Sequence, residues 1–490
     1  MSRFQTFFFV VLALCVPPAR AATPDPLASG FAAPPRSAAP RTWWHWVDGN
    51  VSREGITLDL EAMKQAGIAG ATVFNVSMHI PRGPVPFLSD RWRQLTAFAV
   101  KEAARLGMDL GIHNCAGWSS SAGPWITPEQ SMQVIAWSEV RVRGPRAFDE
   151  RLPPIKAPRK YEQVPYSRDI AVFAFRTPAR RRERLADDGR FLAATGVIRK
   201  ANFDPDPTPE TSTPPVGRFV NLTSAMDRDG RLSWYVPDGD WTILRIGHVA
   251  NGKTNHVAPA EGEGLEVDKL SREAVTAHWA GMMARVIADA GPLAGKTLNE
   301  VLIDSYEVGS QNWTPQFREE FRKRCGYDCF PWLPALTGIV VESQEKTARF
   351  LWDYRRTIAD LYADNYFGTF ATLARKAGMR LAVEAYGNGG FDDVEAAGRV
   401  DVPMGEFGAH GQGPVESVKL AASAGHIYGK PVIAAESFTT GDPRDALSLD
   451  PYSVKAVGDR MFCQGVNRCV FHTYVHQPWR GLVPGMTMGR

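Results

Sequence analysis

Glu307, Glu384, Glu406 and Glu436 each stand at or near the end of a short apolar run, in VLIDSYE, LAVEAYG, VPMGEF and VIAAESF. Helical patterns separate most of these runs, so the chain reads as repeated strand–helix units. Strand ends of a parallel barrel converge on one mouth. Converging carboxylates repel one another and cost desolvation, so such a cluster persists only where protons, a metal ion or catalysis make use of it. Two carboxyl groups across a sugar-sized gap are the requirement for glycoside hydrolysis. One gives a proton to the leaving oxygen, and the other attacks or activates water. Strands four and seven lie well apart around an eight-stranded ring, which makes Glu307 and Glu436 a natural pair. Glu384 and Glu406 are then surplus charges. Surplus carboxylates suggest a hard cation such as calcium, which takes several oxygen ligands and can count sugar hydroxyls among them.

The elements that must position these groups follow in order. Thr42 to Val47, Ala71 to Val76 and Leu110 to Asn114 read as strands one to three, with helices over Arg53 to Ala66 and Asp90 to Leu106. From 132 to 256 the texture changes to period-two stretches such as VIAWSEVRV and WTILRIGHV, broken by DPDPTPETSTPP. This predicts a β-rich domain inserted after strand three. A helix over Ser271 to Ala290 resumes the barrel. Strands four to eight fall at Glu300 to Asp304, Arg380 to Glu384, Val400 to Glu406, Pro431 to Glu436 and Arg468 to Thr473. The fold class is therefore α/β, a (β/α)8 barrel with segments 41–131 and 257–490 flanking the insert. The turn GMxL, at Gly107 to Leu110 and again at Gly378 to Leu381, supports one building unit used twice. The sequence ends at Arg490 without room for an eighth helix, which predicts strands one and eight uncovered on their outer face.

Bulk properties narrow the class. The chain has 490 residues, 44% apolar and 22% charged, with a formal charge of +3. A near-neutral, well-mixed surface has no electrostatic footprint for nucleic acid or an anionic membrane. Fourteen Trp lean weakly toward carbohydrate. Residues 1 to 21 read as a secretory signal: Arg3, an apolar core from Phe7 to Val16, and the small-residue site Ala19, Arg20, Ala21. A periplasmic or secreted protein, free of the membrane after cleavage, is expected. Residues 22 to 40 read as a disordered lead-in. Cys325 with Cys329, or Cys463 with Cys469, are spaced for disulfides whose pairing sequence cannot settle.

The polar residues at the barrel mouth are His45 and Asp48 from strand one, Asn75 from two, His113 and Asn114 from three, and Asp304 and Glu307 from four. Glu384, Glu406 and Glu436 close five to seven, and His472 and His476 belong to eight. Trp118 sits in the small-residue loop NCAGWSSSAGPW, whose backbone can approach a ligand closely. His45, Asp48, Asn114, Trp118, Asp304, Glu384 and His472 are the expected sugar-binding set.

The strings TWWHWVDGN, HNCAGWSSSAGPWIT, APAEGEGLEVDKLS, VLIDSYEVGSQNWTPQF, VEAYGN, DVPMGEF and AAESFT together resemble glycoside hydrolase family 106, the α-L-rhamnosidases, from about Arg41 onward. The resemblance implies inverting, calcium-assisted removal of terminal α-L-rhamnose from glycans or glycosides. It implies Glu307 as general acid, Glu436 as general base, and Glu406 at the calcium or the rhamnose hydroxyls. Members of that family usually continue beyond the barrel, where PGMTMG stops here. Three other readings remain open: a retaining glycosidase of another sugar using the same pair, a magnesium-assisted proton-abstracting barrel with His472 as base, and a non-catalytic sugar-binding protein. Inversion predicts about 6.5–9.5 Å between the two carboxyl groups, retention about 5–5.5 Å.

Overall fold

A computed structural model describes residues 25–155, 164–177, 218–309, 311–441, 445, 448–483 and 485–488. The signal-like segment and the Pro-rich DPDPTPETSTPP stretch lie outside the described residues. The chain divides into two units, Met1–Ala39 and Pro40–Arg490. In the first, Pro26–Ala32 is a helix, where the sequence reading expects an irregular lead-in. The reason is local: Asp25 caps it by accepting from the Leu27 amide at 2.9 Å, and Pro26 pre-sets its first turn.

The second unit is built on a closed barrel of eight parallel strands. In chain order these are β1 (Arg41–Val47), β2 (Gly70–Val76) and β3 (Asp109–His113), then β10 (Leu298–Ile303), β11 (Arg380–Glu384), β12 (Val402–Gly408), β13 (Ala434–Thr439) and β14 (Arg468–Val475). They run β1-β14-β13-β12-β11-β10-β3-β2 around the ring. Closure is made by β1 on β14, with Arg41 opposite Val470 and His45 opposite Val475. The helices between them start where side chains can satisfy the first amides. Ser52 accepts from Gly55 at 3.0 Å, and Ser89 from Trp92 at 3.2 Å. Gly107 and Gly378, the glycines of the two GMxL turns, take φ of 64° and 71° just ahead of β3 and β11. The helix expected over Ser271 to Ala290 is instead two, Arg272–Gly281 and Met283–Ala290, broken at Met282.

Between β3 and β10 lie a short pair, β4 (Ala122–Gly123) with β9 (Leu265–Glu266), and an antiparallel sheet. The sheet holds β5 (Gln133–Arg151), β6 (Ser167–Arg176), β7 (Val220–Asn221) and β8 (Arg231–Ala250) in the order β5-β8-β6-β7. It is not a separate body. Ile135, Phe173, Phe175, Leu244 and Ile246 share one core with the barrel's outer layer, and Phe173 meets Phe330 with ring centroids 5.3 Å apart. One face of a period-two sheet must bury its apolar residues, and the helical layer after β10 receives it.

Alternation along β1 sends Trp43, His45 and Val47 inward and Trp44 and Trp46 outward. Contrary to the expectation of an uncovered strand one, all of β1 is buried. The helix Arg53–Gln65 leans over it and carries Asp59, whose carboxylate is the latch. Asp59 accepts from Trp44 Nε1 at 2.9 Å and from the Gln477 amide at 3.2 Å, and holds His476 Nδ1 at 2.6 Å. β14 keeps Cys469 and Phe471 only half-buried. All five described cysteines are free thiols, so neither spaced pair is bridged. Among the described residues no helix is long and apolar enough to cross a membrane.

At the amino ends of the strands, Glu300 lies among Arg41 (3.2 Å), Arg380 (3.4 Å) and Arg468 (3.8 Å). That floor is a compensated charge cluster of structural kind. The barrel's closing seam depends on Asp59. Asp59→Ala leaves buried Trp, His and amide groups without an acceptor and is expected to cost about 3–5 kcal/mol. Urea unfolding measures this, and a loss under about 1 kcal/mol would show that the latch carries no weight.

Candidate active site

The carboxylates at the opposite end are not compensated in this way. β10 hands over at Ile303 to Asp304, Ser305, Tyr306 and Glu307. β11 ends on Glu384, and parallel pairing sets Glu406 of β12 directly beside Glu436 of β13. Asp304, Glu384 and Glu436 are buried, and each offers an oxygen within 4.8 Å of the others. Burial pushes Asp304 up to about 8, helped by the Glu307 and Glu406 charges and opposed by the Ser305 amide. Burial, then repulsion from Glu436, Asp304 and Glu406, raises Glu384 well above the usual range. Burial and the charges of Glu406 and Asp304 do the same to Glu436.

Few donors serve this cluster. Tyr386 Oη reaches Glu384 at 2.8 Å and Glu406 at 2.6 Å. A phenol has one proton to give, so full satisfaction of both contacts needs a proton on one of the two carboxyls. Thr439 donates to Glu436. Among the described residues no N–H or hydroxyl donor reaches Glu384 Oε1, which is buried. Three hard oxygen ligands this close together, served by few donors, form a set that suits a divalent cation such as calcium.

Above the cluster opens a cleft of about 690 Å³. Glu307, Glu406, Glu436 and Asp304 line it together with His45, His472 and Trp118. Trp43, Met78, Val475, Met486 and Met488 make an apolar wall. His45 Nδ1 meets the Thr473 hydroxyl, and burial with the neighbouring His472 and His113 holds it neutral, well below the usual histidine value. Glu307 is half exposed. Its Oε1 accepts from Ser305 Oγ at 3.2 Å, and its Oε2 lies 3.4 Å from His256 Nε2. Among the described residues lining the cleft there is no Lys or Arg.

Three expected sugar-binding residues are placed elsewhere. Asp48, at φ 47°, turns away and accepts from the Met78 amide at 2.8 Å and the Ile80 amide at 3.3 Å. It shapes the loop after β2, because a short carboxylate at a turn satisfies nearby amides first. Asn114 is fully buried: its amide donates to the Ser120 and Leu302 carbonyls, and its oxygen takes Ser121 Oγ at 2.6 Å. It organises the small-residue loop from behind. Glu384 lies beneath the cleft rather than on its surface and belongs to the carboxylate trio. The expected metal residue, Glu406, lies outside that trio and lines the cleft beside it.

The other mouth residues are structural. Asn75 accepts from Trp92 Nε1 at 2.7 Å. His113 stacks on Phe74 at 4.7 Å and bonds the Cys115 carbonyl, and burial lowers it to about 4. His476 serves Asp59. Sequence reasoning missed Tyr386, Thr439 and His256. The first two sit two and three residues beyond a strand-end Glu, a spacing that could have drawn attention. His256 has no such signal.

A family model for α-L-rhamnosidases, glycoside hydrolase family 106, matches residues 32–490. The structure is similar to that of a rhamnosidase from Novosphingobium sp. PP1Y, with a TM-score of 0.83 and 28% identity, covering 94% of this chain and 57% of that one. A Formosa agariphila protein bearing the provisional name of beta-glucuronidase is 44% identical over 464 residues, 94% of this chain and 39% of that protein. The chain thus spans well under two thirds of the length of either relative. With the strand-end carboxylates, the barrel and the match running through both, the chain belongs to the α-L-rhamnosidase family, glycoside hydrolase family 106.

Proposed function

We propose that this chain carries the catalytic site of an exported glycoside hydrolase that removes terminal α-L-rhamnose with inversion. The observation that carries the reading is one cleft lined by both Glu307 and Glu436 whose described lining holds no Lys or Arg. Glu307 gives its proton to the departing glycosidic oxygen. Glu436 takes a proton from the water that attacks the anomeric carbon. His45, His472 and Trp118 face the sugar. The apolar wall of Trp43, Met78, Met486 and Met488 suits the methyl group of a 6-deoxy sugar. A glucuronide would bring a carboxylate into the same space, among Asp304, Glu307, Glu406 and Glu436, with no described Lys or Arg in the lining to receive it. That favours the rhamnoside over the glucuronide in the Formosa protein's name.

Asp304, Glu384 and Glu436 would hold a calcium ion, with Glu406 beside it toward the sugar hydroxyls. When bound, the ion would supply the positive charge that lets the trio ionise and a site for sugar hydroxyls. Glu384, which meets the Tyr386 hydroxyl and the Asp304 carboxyl beneath the cleft, fits a ligand better than a sugar contact.

An aryl α-L-rhamnoside should be turned over and an aryl β-glucuronide left intact, and proton NMR should detect the inverted anomer first. Glu307→Gln should lose about 10²–10⁴-fold on unactivated rhamnosides, with much of the loss recovered on a dinitrophenyl leaving group. Glucuronide turnover, a retained anomer, or sugar binding without turnover would each overturn this reading.

The carboxylates also predict a pH effect. In metal-free protein Asp304 keeps its proton to about 8, against 3.8 for the ordinary group. The folded state then binds more protons than the unfolded chain, so stability is full below the ordinary value and falls as pH rises toward 8. Calcium should remove that slope. Melting temperatures at pH 5 and pH 8.5, with calcium and with chelator, test this. Curves insensitive to calcium at both pH values would remove the cation.

A further inference from the structure

We propose that His256, delivered from the exit of the inserted sheet, is a positioning residue that aims the carboxyl of Glu307. The inference rests on the reading of Glu307 as the acid. Glu307 is half exposed, with 50% of its side chain open to solvent, and a long unbranched side chain left so free must be ordered by its partners. Among the described contacts only two groups hold it: Ser305 Oγ at 3.2 Å on Oε1, and His256 Nε2 at 3.4 Å on Oε2. Among the described residues, the charged groups that face it are Asp304, Glu406 and Glu436, all of its own sign. Beside Ser305, His256 is therefore the one described neighbour of the Glu307 carboxyl that does not repel it.

The turn presenting His256 is constrained from three sides. The next residue, Val257, has φ 51°, a left-handed backbone that a β-branched residue avoids. Such conformations persist where surrounding structure over-determines them, and they gather at functional sites. Here the Ser77 amide, just beyond β2, grips the Val257 carbonyl at 2.6 Å. Gly117, at φ 77°, lets the small-residue loop pass under His256, since a Cβ there would lie 2.3 Å from the His256 carbonyl oxygen. Trp118, which lines the cleft, meets the imidazole edge-on with centroids 6.2 Å apart. The end of β2, the loop after β3 and the exit of β8 thus converge to hold one imidazole against Glu307. A strained, triply supported turn is a poor way to build an incidental surface histidine.

Acting through Glu307, His256 should matter only where the leaving group needs a proton. For His256→Ala, we expect kcat/KM on methyl α-L-rhamnoside to fall about tenfold or more and on the dinitrophenyl rhamnoside about twofold at most. His256→Gln, which keeps a donor at the Nε2 position, should restore most of the loss. The imidazole is 45% exposed, so both variants should keep the wild-type melting temperature. Equal losses on the two substrates, or no loss on either, would overturn the positioning role while leaving Glu307 as acid. Full activity of Glu307→Gln on the methyl rhamnoside would remove the acid assignment itself, and this proposal with it.

Discussion

Three buried carboxyl groups within 4.8 Å of one another are the constraint around which the rest of the barrel is arranged. Two unit charges at that distance repel by roughly 3 kcal/mol even at an effective dielectric of 20. The trio therefore cannot ionise together without a counter-charge. The barrel's two ends treat the problem in opposite ways. At the amino ends of the strands, Glu300 is surrounded by Arg41, Arg380 and Arg468, and the charge is settled within the protein. At the carboxyl ends no described Lys or Arg lines the cleft, and the described hydrogen bonds come from a shared tyrosine, a threonine and a serine amide. The floor's charge is balanced by arginines, while burial and mutual repulsion hold the mouth's carboxyls above their usual range.

The inserted sheet extends that logic. It buries one face in the same core as the barrel helices, so its exit from β8 is rigidly referenced to the strand ends. A loop on such a scaffold can present a side chain accurately, which a free-standing module could not. His256 and the backbone around it sit at this junction, where β2, the loop after β3 and the insert meet.

Much of the scaffold was legible in the sequence because its signals are local. Apolar runs of period-independent composition mark strands buried on both faces, and Ser52, Ser89 and Gly107 mark helix ends. The placement of Glu307, Glu406 and Glu436 along one cleft followed from the same strand ends. What was not legible depends on where a side chain turns after the strand ends. Asp48 and Asn114 stand at the mouth in sequence, yet backbone amides and carbonyls a few residues away claim them first. Glu384 and Glu406 look equivalent as strand-end acids. One lies under the floor of the cleft and the other on it, because pairing sets Glu384 opposite Met404 and Glu406 opposite Glu436.

The amino-acid order by itself determined the strand–helix alternation and the family, since both rest on periodicity, caps and long strings read along the chain. Only the tertiary structure decided which acids form the buried trio, which polar residues turn inward to brace loops, and that His256 reaches Glu307. Those outcomes depend on through-space distances between residues far apart in the chain, and no local pattern encodes a distance that exists only once the barrel has closed.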